Sequence, residues 1–284
     1  MTTVSREILR YAAFTVDGGG GNPAGVVPDA AGMSAAEMAA IAAELGYSET
    51  AFAVPRSEEP GGYDVRYFAP AREVPFCGHA TIAAAVALAE RGAPPDLVFH
   101  TAAGPVGVRT RPGQRGLVAE LTSPAPTVRE AEPALLGAAL DALGWSAEDL
   151  DRDYPPAVAD AGARHLVLVV RSRRRLADLD YDFDALARVM REAELITVQL
   201  VWPESASRFH ARDPFPPGGV VEDPATGAAA AAFGAYLRHY GLIAADATFT
   251  IRQGEDMGRP GELVVTLVPG EPGVRVAGAA NPID

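Results

Sequence analysis

The 284-residue chain carries 24 Lys and Arg against 37 Asp and Glu, a net charge of −13, with 48% hydrophobic and 21% charged residues. That balance fits an ordinary soluble globular protein, and an acidic chain without a coherent basic surface argues against nucleic-acid binding. A single cysteine excludes an intrachain disulfide and a multi-thiolate zinc site, and the five histidines lack metal-ligand spacing, so no metal and no cofactor are expected.

The opening "MTTVSREILRYAAF" lacks the form of a signal peptide, and no segment reaches the roughly 18 apolar residues that span a bilayer. A cytoplasmic protein without a membrane partner is therefore expected. The length suits two domains better than one.

In chain order, "ILRYAAFTV" reads as a strand. The glycine run that follows holds Gly19, Gly21 and Ala24 at the spacing of a relaxed dinucleotide fingerprint. That motif must open a helix, whereas Pro23 leads into "AGVVPDA", a second strand, so a nucleotide site is not favoured. "MSAAEMAAIAAELG" reads as a helix with a Ser34–Glu37 capping box and Gly46 at its stop. "YSETAFAV" is the next strand, and further strands are expected at "YDVRYFA", "DLVFHTA", "VGVRT", "GLVAELT", "RHLVLVV", "ITVQLVW", "ATFTIRQ", "ELVVTLV" and "GVRVAG". Helices are expected near 130–143 and 181–194, and "RSRRR" at 171–175 reads as a solvated loop. Many strands and few helices favour an α+β architecture over regular βαβ winding.

Two alanine-rich segments, "TIAAAVALAERG" and "GAAAAAFGAYLRHYG", show almost no polar face in their first turns. Helices apolar all round must be buried on all sides, which points to one central helix in each half. Their approaches also match. Glu73, Pro75 and Gly78 align with Glu222, Pro224 and Gly227, 149 positions further on, so both halves read E-x-P-x-x-G before the helix. An internal duplication is the economical explanation, with the halves dividing at 1–122 and 123–284 and the C-terminal tail able to pack on the first.

A helix N-terminus that begins with glycine leaves backbone N–H groups unpaired, with partial positive charge from the helix dipole. Two such ends facing a cleft would hold an anion, with a small carboxylate the obvious candidate. His79 lies in the first turn of one helix. Glu222 and Asp223 stand just before the other as adjacent carboxylates pointing to different sides.

The blocks "FTVDGGGGNPAGVV", "LGYSETAFAV", "RYFAPAREVPFCGHATIAAA", "VVEDPATGAAAAAFGAYL" and "RQGEDMGRP" together resemble the successive signatures of the PhzF-like phenazine-biosynthesis family, within the diaminopimelate-epimerase-like fold. The resemblance implies two pseudo-symmetric α+β domains, each a curved, mostly antiparallel sheet wrapped around a central apolar helix. It further implies a cofactor-independent isomerase of small carboxylic or amino acids, working in the interdomain cleft and often as a homodimer. Glu49 of the "SET" block would shuttle the proton, His79 and Asp223 would support or orient the substrate, and the backbone at Gly78 and Gly227 would bind its anionic group. Ala228 stands where many members carry serine, which removes a hydroxyl contact. Thr226 occupies the second thiol position of the two-thiol epimerases, which disfavours that mechanism and leaves Cys77 alone.

On residue type alone, Glu49 in an otherwise apolar strand reads as a strand-end surface group. Only the resemblance assigns it the proton. Cys77 reads either as a small buried hydrophobe or as a thiol made reactive by the helix end. Asn22 is either a turn residue or an amide contact to substrate, and Arg259 in "MGRP" is a candidate to close the pocket. Two other functions stay open, a non-catalytic carboxylate binder of the same fold and an epimerase using Glu49 and Cys77 as opposed bases.

Overall fold

The computed structural model describes residues 6–114 and 116–284. The chain divides into two units, one of residues up to Thr122 together with Ala277–Asp284, the other of Ser123–Val276. The first contains β1 (Leu9–Ala13), β2 (Asn22–Val27), α1 (Ala35–Leu45), β3 (Glu49–Pro55), β4 (Gly62–Ala69), β5 (Arg72–Val74), α2 (Gly78–Ala89), β6 (Asp96–Thr101), β7 (Gly104–Gly113) and β8 (Gly116–Thr122). The second contains β9 (Thr127–Glu130), α3 (Pro133–Leu143), β10 (Ala157–Asp160), β11 (Arg164–Val169), α4 (Arg173–Ala177), α5 (Phe183–Glu192), β12 (Thr197–Ser205), β13 (Arg208–Pro214), β14 (Glu222–Asp223), α6 (Gly227–His239), β15 (Thr248–Gln253) and β16 (Gly261–Thr266). The last strand, β17 (Arg275–Pro282), pairs with β1 and β8 of the first unit. The fold is α+β and dominated by sheet.

In the first unit, β17, β1, β2, β3, β4, β6, β7 and β8 pair in that order and β8 returns to β17, so the sheet closes on itself. The β2–β3 and β4–β6 pairs are parallel, and β5 adds a short hairpin to β4. Helix α2 runs inside, touching β1, β2, β3, β7 and β8, and is buried from Gly78 to Leu88. Alanines suit such a helix because small side chains let strands approach from every side. Outside, α1 lays Met38 and Ala42 on Val27, Phe52 and Phe68. Its ends are set locally: Ser34 and Glu37 form a reciprocal capping box, and Gly46 closes the helix at φ 67°.

The second unit pairs its strands in the order β9, β10, β11, β12, β13, β15, β16, with β14 as a short addition to β13. Helix α6 touches β9, β10, β11 and β16, strands from both ends of that order, so the sheet curls around it. Leu166, Leu168, Val198 and Leu200 face outward onto a layer that includes Leu140, Leu143, Leu186 and Met190 of α3 and α5. The alternate residues of β11 and β12 therefore face inward.

Some expectations are corrected. The "RSRRR" run is not a solvated loop: Ser172 caps α4, Arg173 pairs with Asp256, and Arg175 lies over the Trp145 ring at 5.1 Å. Strands β5, β9, β10, β13 and β14 were not expected, being short or carrying charges that only pairing partners explain. After the glycine run comes strand β2 and no helix. No described helix is long and apolar enough to cross a membrane.

Candidate active site

Two segments distant in sequence, Ser48–Glu49 and Cys77–His79, converge in the first unit where α2 begins. Gly46 turns the chain out of α1 so that Ser48 and Glu49 stand at the start of β3, whose parallel pairing sets Glu49 opposite Ala24 of β2. Cys77 is the N-cap of α2 and His79 lies in its first turn. The His79 Nε2 atom is 3.5 Å from Glu49 Oε2 and 3.2 Å from Ser48 Oγ, while Nδ1 is 3.3 Å from Cys77 Sγ. Glu49 is 9% exposed and His79 4%, so the strand-end surface reading of Glu49 gives way to a buried one. Burial follows from packing against β2 and α2, which the local sequence does not encode.

The helix end itself is held rigidly. Thr81 donates its hydroxyl proton to the Cys77 carbonyl at 2.7 Å, so the 2.6 Å contact between Tyr67 and Thr81 must be donated by the tyrosine. Burial raises the Tyr67 phenol above its ordinary range, which keeps it a donor. Cys77 offers no side-chain cap to its own helix, so the first-turn amides, including that of Gly78, keep no intrahelical partner. Asn22 is 2% exposed at the head of β2, and strand alternation sets it on the same face as Ala24 and its neighbour Glu49.

The second unit builds a comparable helix entry at α6. Thr226, its N-cap, turns its hydroxyl away from the helix and donates to Asp223 Oδ2 at 2.6 Å. Gln253 then clamps the turn: its Oε1 accepts from the Thr226 amide at 3.0 Å, and its Nε2 donates to the Asp223 carbonyl at 2.8 Å and to Thr226 Oγ1 at 3.0 Å. Gly227 is buried and Ala228 half-buried in the first turn. Glu222 points the other way into a buried ion pair with Arg212 at 2.5 Å, and leaves Asp223 as the carboxylate at the helix entry. Arg259 is exposed, in a loop held close to Pro224 by Gly254, whose φ is 79° and where a Cβ would meet the Pro224 carbonyl oxygen at 2.6 Å. Gln253, Tyr67 and Thr81 were missed as functional supports. Their one signal in the sequence is their place in "RYFAPAREVPFCGHATIAAA" and "RQGEDMGRP".

Chemically, the first-unit cluster offers a carboxyl, an imidazole and a thiol whose donor atoms all lie within 4.8 Å of one another. Such a set can exchange protons with a substrate, and it also has the donor composition of a site for a soft divalent ion.

Residues 11–283 match the family model described as "Phenazine biosynthesis-like protein". The chain is 33% identical over 272 residues to the uncharacterized isomerase YfhB of Bacillus subtilis (strain 168), covering 92% of this chain and 90% of that one. It is 31% identical over 245 residues to the trans-2,3-dihydro-3-hydroxyanthranilate isomerase of Pseudomonas chlororaphis, covering 84% and 82%. Among solved structures, the phenazine biosynthesis protein of the PhzF family from Bacillus anthracis superposes with a TM-score of 0.87 at 25% identity, covering 98% of this chain and 96% of that one. A probable proline racemase from Agrobacterium radiobacter K84 shares the fold at a TM-score of 0.64 and 15% identity, covering 98% and 91%. The chain belongs to the phenazine biosynthesis-like protein family and is an isomerase.

Proposed function

We propose that this isomerase moves a proton on a small carboxylic or amino acid without a cofactor, with Glu49 as the group that removes the proton and returns it to another carbon or face. The observation that carries this reading is the burial of the Glu49 carboxyl beside His79, at 3.5 Å. A carboxyl in a water-poor site beside an imidazole has the acceptor and donor atoms to take a proton from one position of a substrate and deliver one to another. His79, oriented by Ser48 and Cys77, holds the substrate or the carboxyl in line. The uncapped amides at Gly78 stabilise negative charge as it develops on the substrate. Asp223 and the backbone at Gly227 take the substrate-positioning roles that the family resemblance implies, with Ala228 at the position of the family serine, while Asn22 contributes an amide contact and Arg259 closes the pocket.

A two-base epimerase with Glu49 and Cys77 on opposite faces of one carbon is disfavoured by distance. Each base needs about 3–3.5 Å to the carbon between them, or roughly 6–7 Å in all. The two groups reach within 4.8 Å of each other.

The test is incubation in D2O with a panel of small cyclic and acyclic amino and hydroxy acids, followed by NMR. The panel begins with trans-2,3-dihydro-3-hydroxyanthranilate, the compound in the name of the P. chlororaphis relative. Isomerisation at one or more of these with solvent-derived deuterium at the new C–H position, unchanged by exhaustive chelation, is expected. Acids that raise the melting temperature and yet undergo neither isomerisation nor exchange would contradict the proposal and favour a binding protein.

A further inference from the structure

A second set of buried polar groups lies on the inner face of the second unit's sheet. His165, Gln199 and Asp213 are each 0% exposed and Thr197 is 1% exposed. Thr197 links them: its hydroxyl donates to Asp213 Oδ1 at 2.7 Å and meets His165 Nδ1 at 2.8 Å. The hydroxyl has one proton, so His165 must carry its own on Nδ1 and present Nε2 as a lone-pair acceptor. Burial pulls the His165 imidazole down to about 3, in keeping with a neutral ring.

Four atoms of this set have no hydrogen-bond partner among the described residues: His165 Nε2, Gln199 Oε1, Gln199 Nε2 and Asp213 Oδ2. A buried polar atom left so is costly, and interiors meet such demands with ordered water. Thr197 ties His165 and Asp213 to one point of this face. Gln199 follows Thr197 by two residues on the same strand face, and Asp213 alternates with Phe209, whose ring meets Phe233 of α6 at 5.0 Å.

Asp213 also stands directly opposite Asp223 in the β13–β14 pair, which sets both carboxyls on one face. The charged and titratable groups around it are Asp223, Glu222, Arg212 and His165, and Arg212 is committed to Glu222 on the other face. Among the described residues no cation pairs with Asp213, whose charged neighbours are carboxyls. Asp223 has the helix N-terminus and the Thr226 hydroxyl to support a charge, while Asp213 has one hydroxyl and burial.

We propose that Asp213 is kept as a neutral carboxylic acid whose Oδ2–H donates into a sealed water site shared with Gln199 and His165, so that the negative charge of this pair stays on Asp223 at the entry to α6. Burial pushes the Asp213 carboxyl well above the ordinary range, Asp223 and Glu222 add to the push, and the Thr197 hydrogen bond opposes it. The proposal stands independently of the proton-transfer reading, because nothing in it requires turnover.

Urea unfolding of the full chain and of Asp213→Asn, compared from pH 7 to 8, tests it. His165, whose ordinary value lies near 6.5, is mostly neutral in the unfolded chain in this window and is common to both proteins, so it cancels from the comparison. The folded wild type holds a proton at Asp213 that the unfolded chain, with an ordinary value near 3.9, has released. Stability of the wild type therefore falls as pH rises, and its unfolding constant relative to Asp213→Asn should grow up to about tenfold per pH unit. Parallel pH dependence of the two proteins would overturn the proposal. If the variant does not fold, infrared spectroscopy of the wild type at pH 8 decides, with a protonated-carboxyl C=O band expected and its absence contradictory. A high-resolution crystal structure should show ordered water bonded to His165 Nε2 and Gln199, and a dry contact there would contradict the water site.

Discussion

His79 Nε2 lies 3.5 Å from Glu49 Oε2, although the two residues come from different elements, the first turn of a buried helix and the start of a strand. The contact exists because the parallel β2–β3 pair and the closed sheet around α2 bring the head of β3 against the helix N-terminus. His79 then sits between Ser48, Glu49 and Cys77 with both ring nitrogens engaged. His79→Phe should lower kcat by about 10²-fold with a smaller change in KM, within the range of acid/base contributions. Steady-state kinetics on any accepted acid would show it, and an unchanged kcat would remove His79 from the mechanism.

Cys77 is an N-cap whose sulfur faces the His79 ring. Cys77→Ser keeps a polar atom in that place and should cost less than about tenfold in kcat, since the thiol is given no proton to move. A loss of 10³-fold or more would instead indicate a second base.

Gln253 closes three hydrogen bonds around Asp223 and Thr226 while 1% exposed. Gln253→Leu would take the partner from the buried Thr226 amide and the amide donor from the Asp223 carbonyl and the Thr226 hydroxyl, at about 1–3 kcal/mol for the amide left unmet. A drop in thermal stability of several degrees, with weaker substrate binding, is the expected outcome. A variant as stable as the wild type would show the clamp to be dispensable.

His165 gives the acid limb of stability. Its folded value near 3 lies below its ordinary 6.5, so the unfolded chain binds a proton that the folded chain refuses. The corresponding stability is full above pH 6.5 and is lost as pH falls toward 3, by about 1.4 kcal/mol per unit. His165→Asn, which can still donate to Thr197, should show a flatter stability profile than the wild type between pH 6 and 4. Matching profiles would contradict a neutral buried imidazole.

Much of this fold is legible locally. Ser34, Glu37 and Gly46 specify both ends of α1, and the missing polar face of the alanine-rich segments foretells burial of α2 and α6. Strand β13 is opaque because Arg208, His210 and Arg212 alternate with its buried residues, and Arg212 is accommodated by Glu222 and the Ala177 carbonyl. Strand β14 is two residues long and exists through its pairing with β13. The candidate site divides the same way. His79 and the glycine helix starts carry local signals, whereas the burial of Glu49 and the clamp of Gln253 depend on contacts across the fold. Glu49 was reached through a family resemblance and not through its own environment in the sequence.

Glu49→Gln asks whether Glu49 carries the proton. The variant keeps the shape of the side chain but has no carboxyl to protonate. In D2O with an acid that the wild type isomerises, it should bind the compound, as read by thermal shift, while incorporation of solvent deuterium and isomerisation both fall to background. Exchange continuing at the wild-type rate in Glu49→Gln would contradict the account.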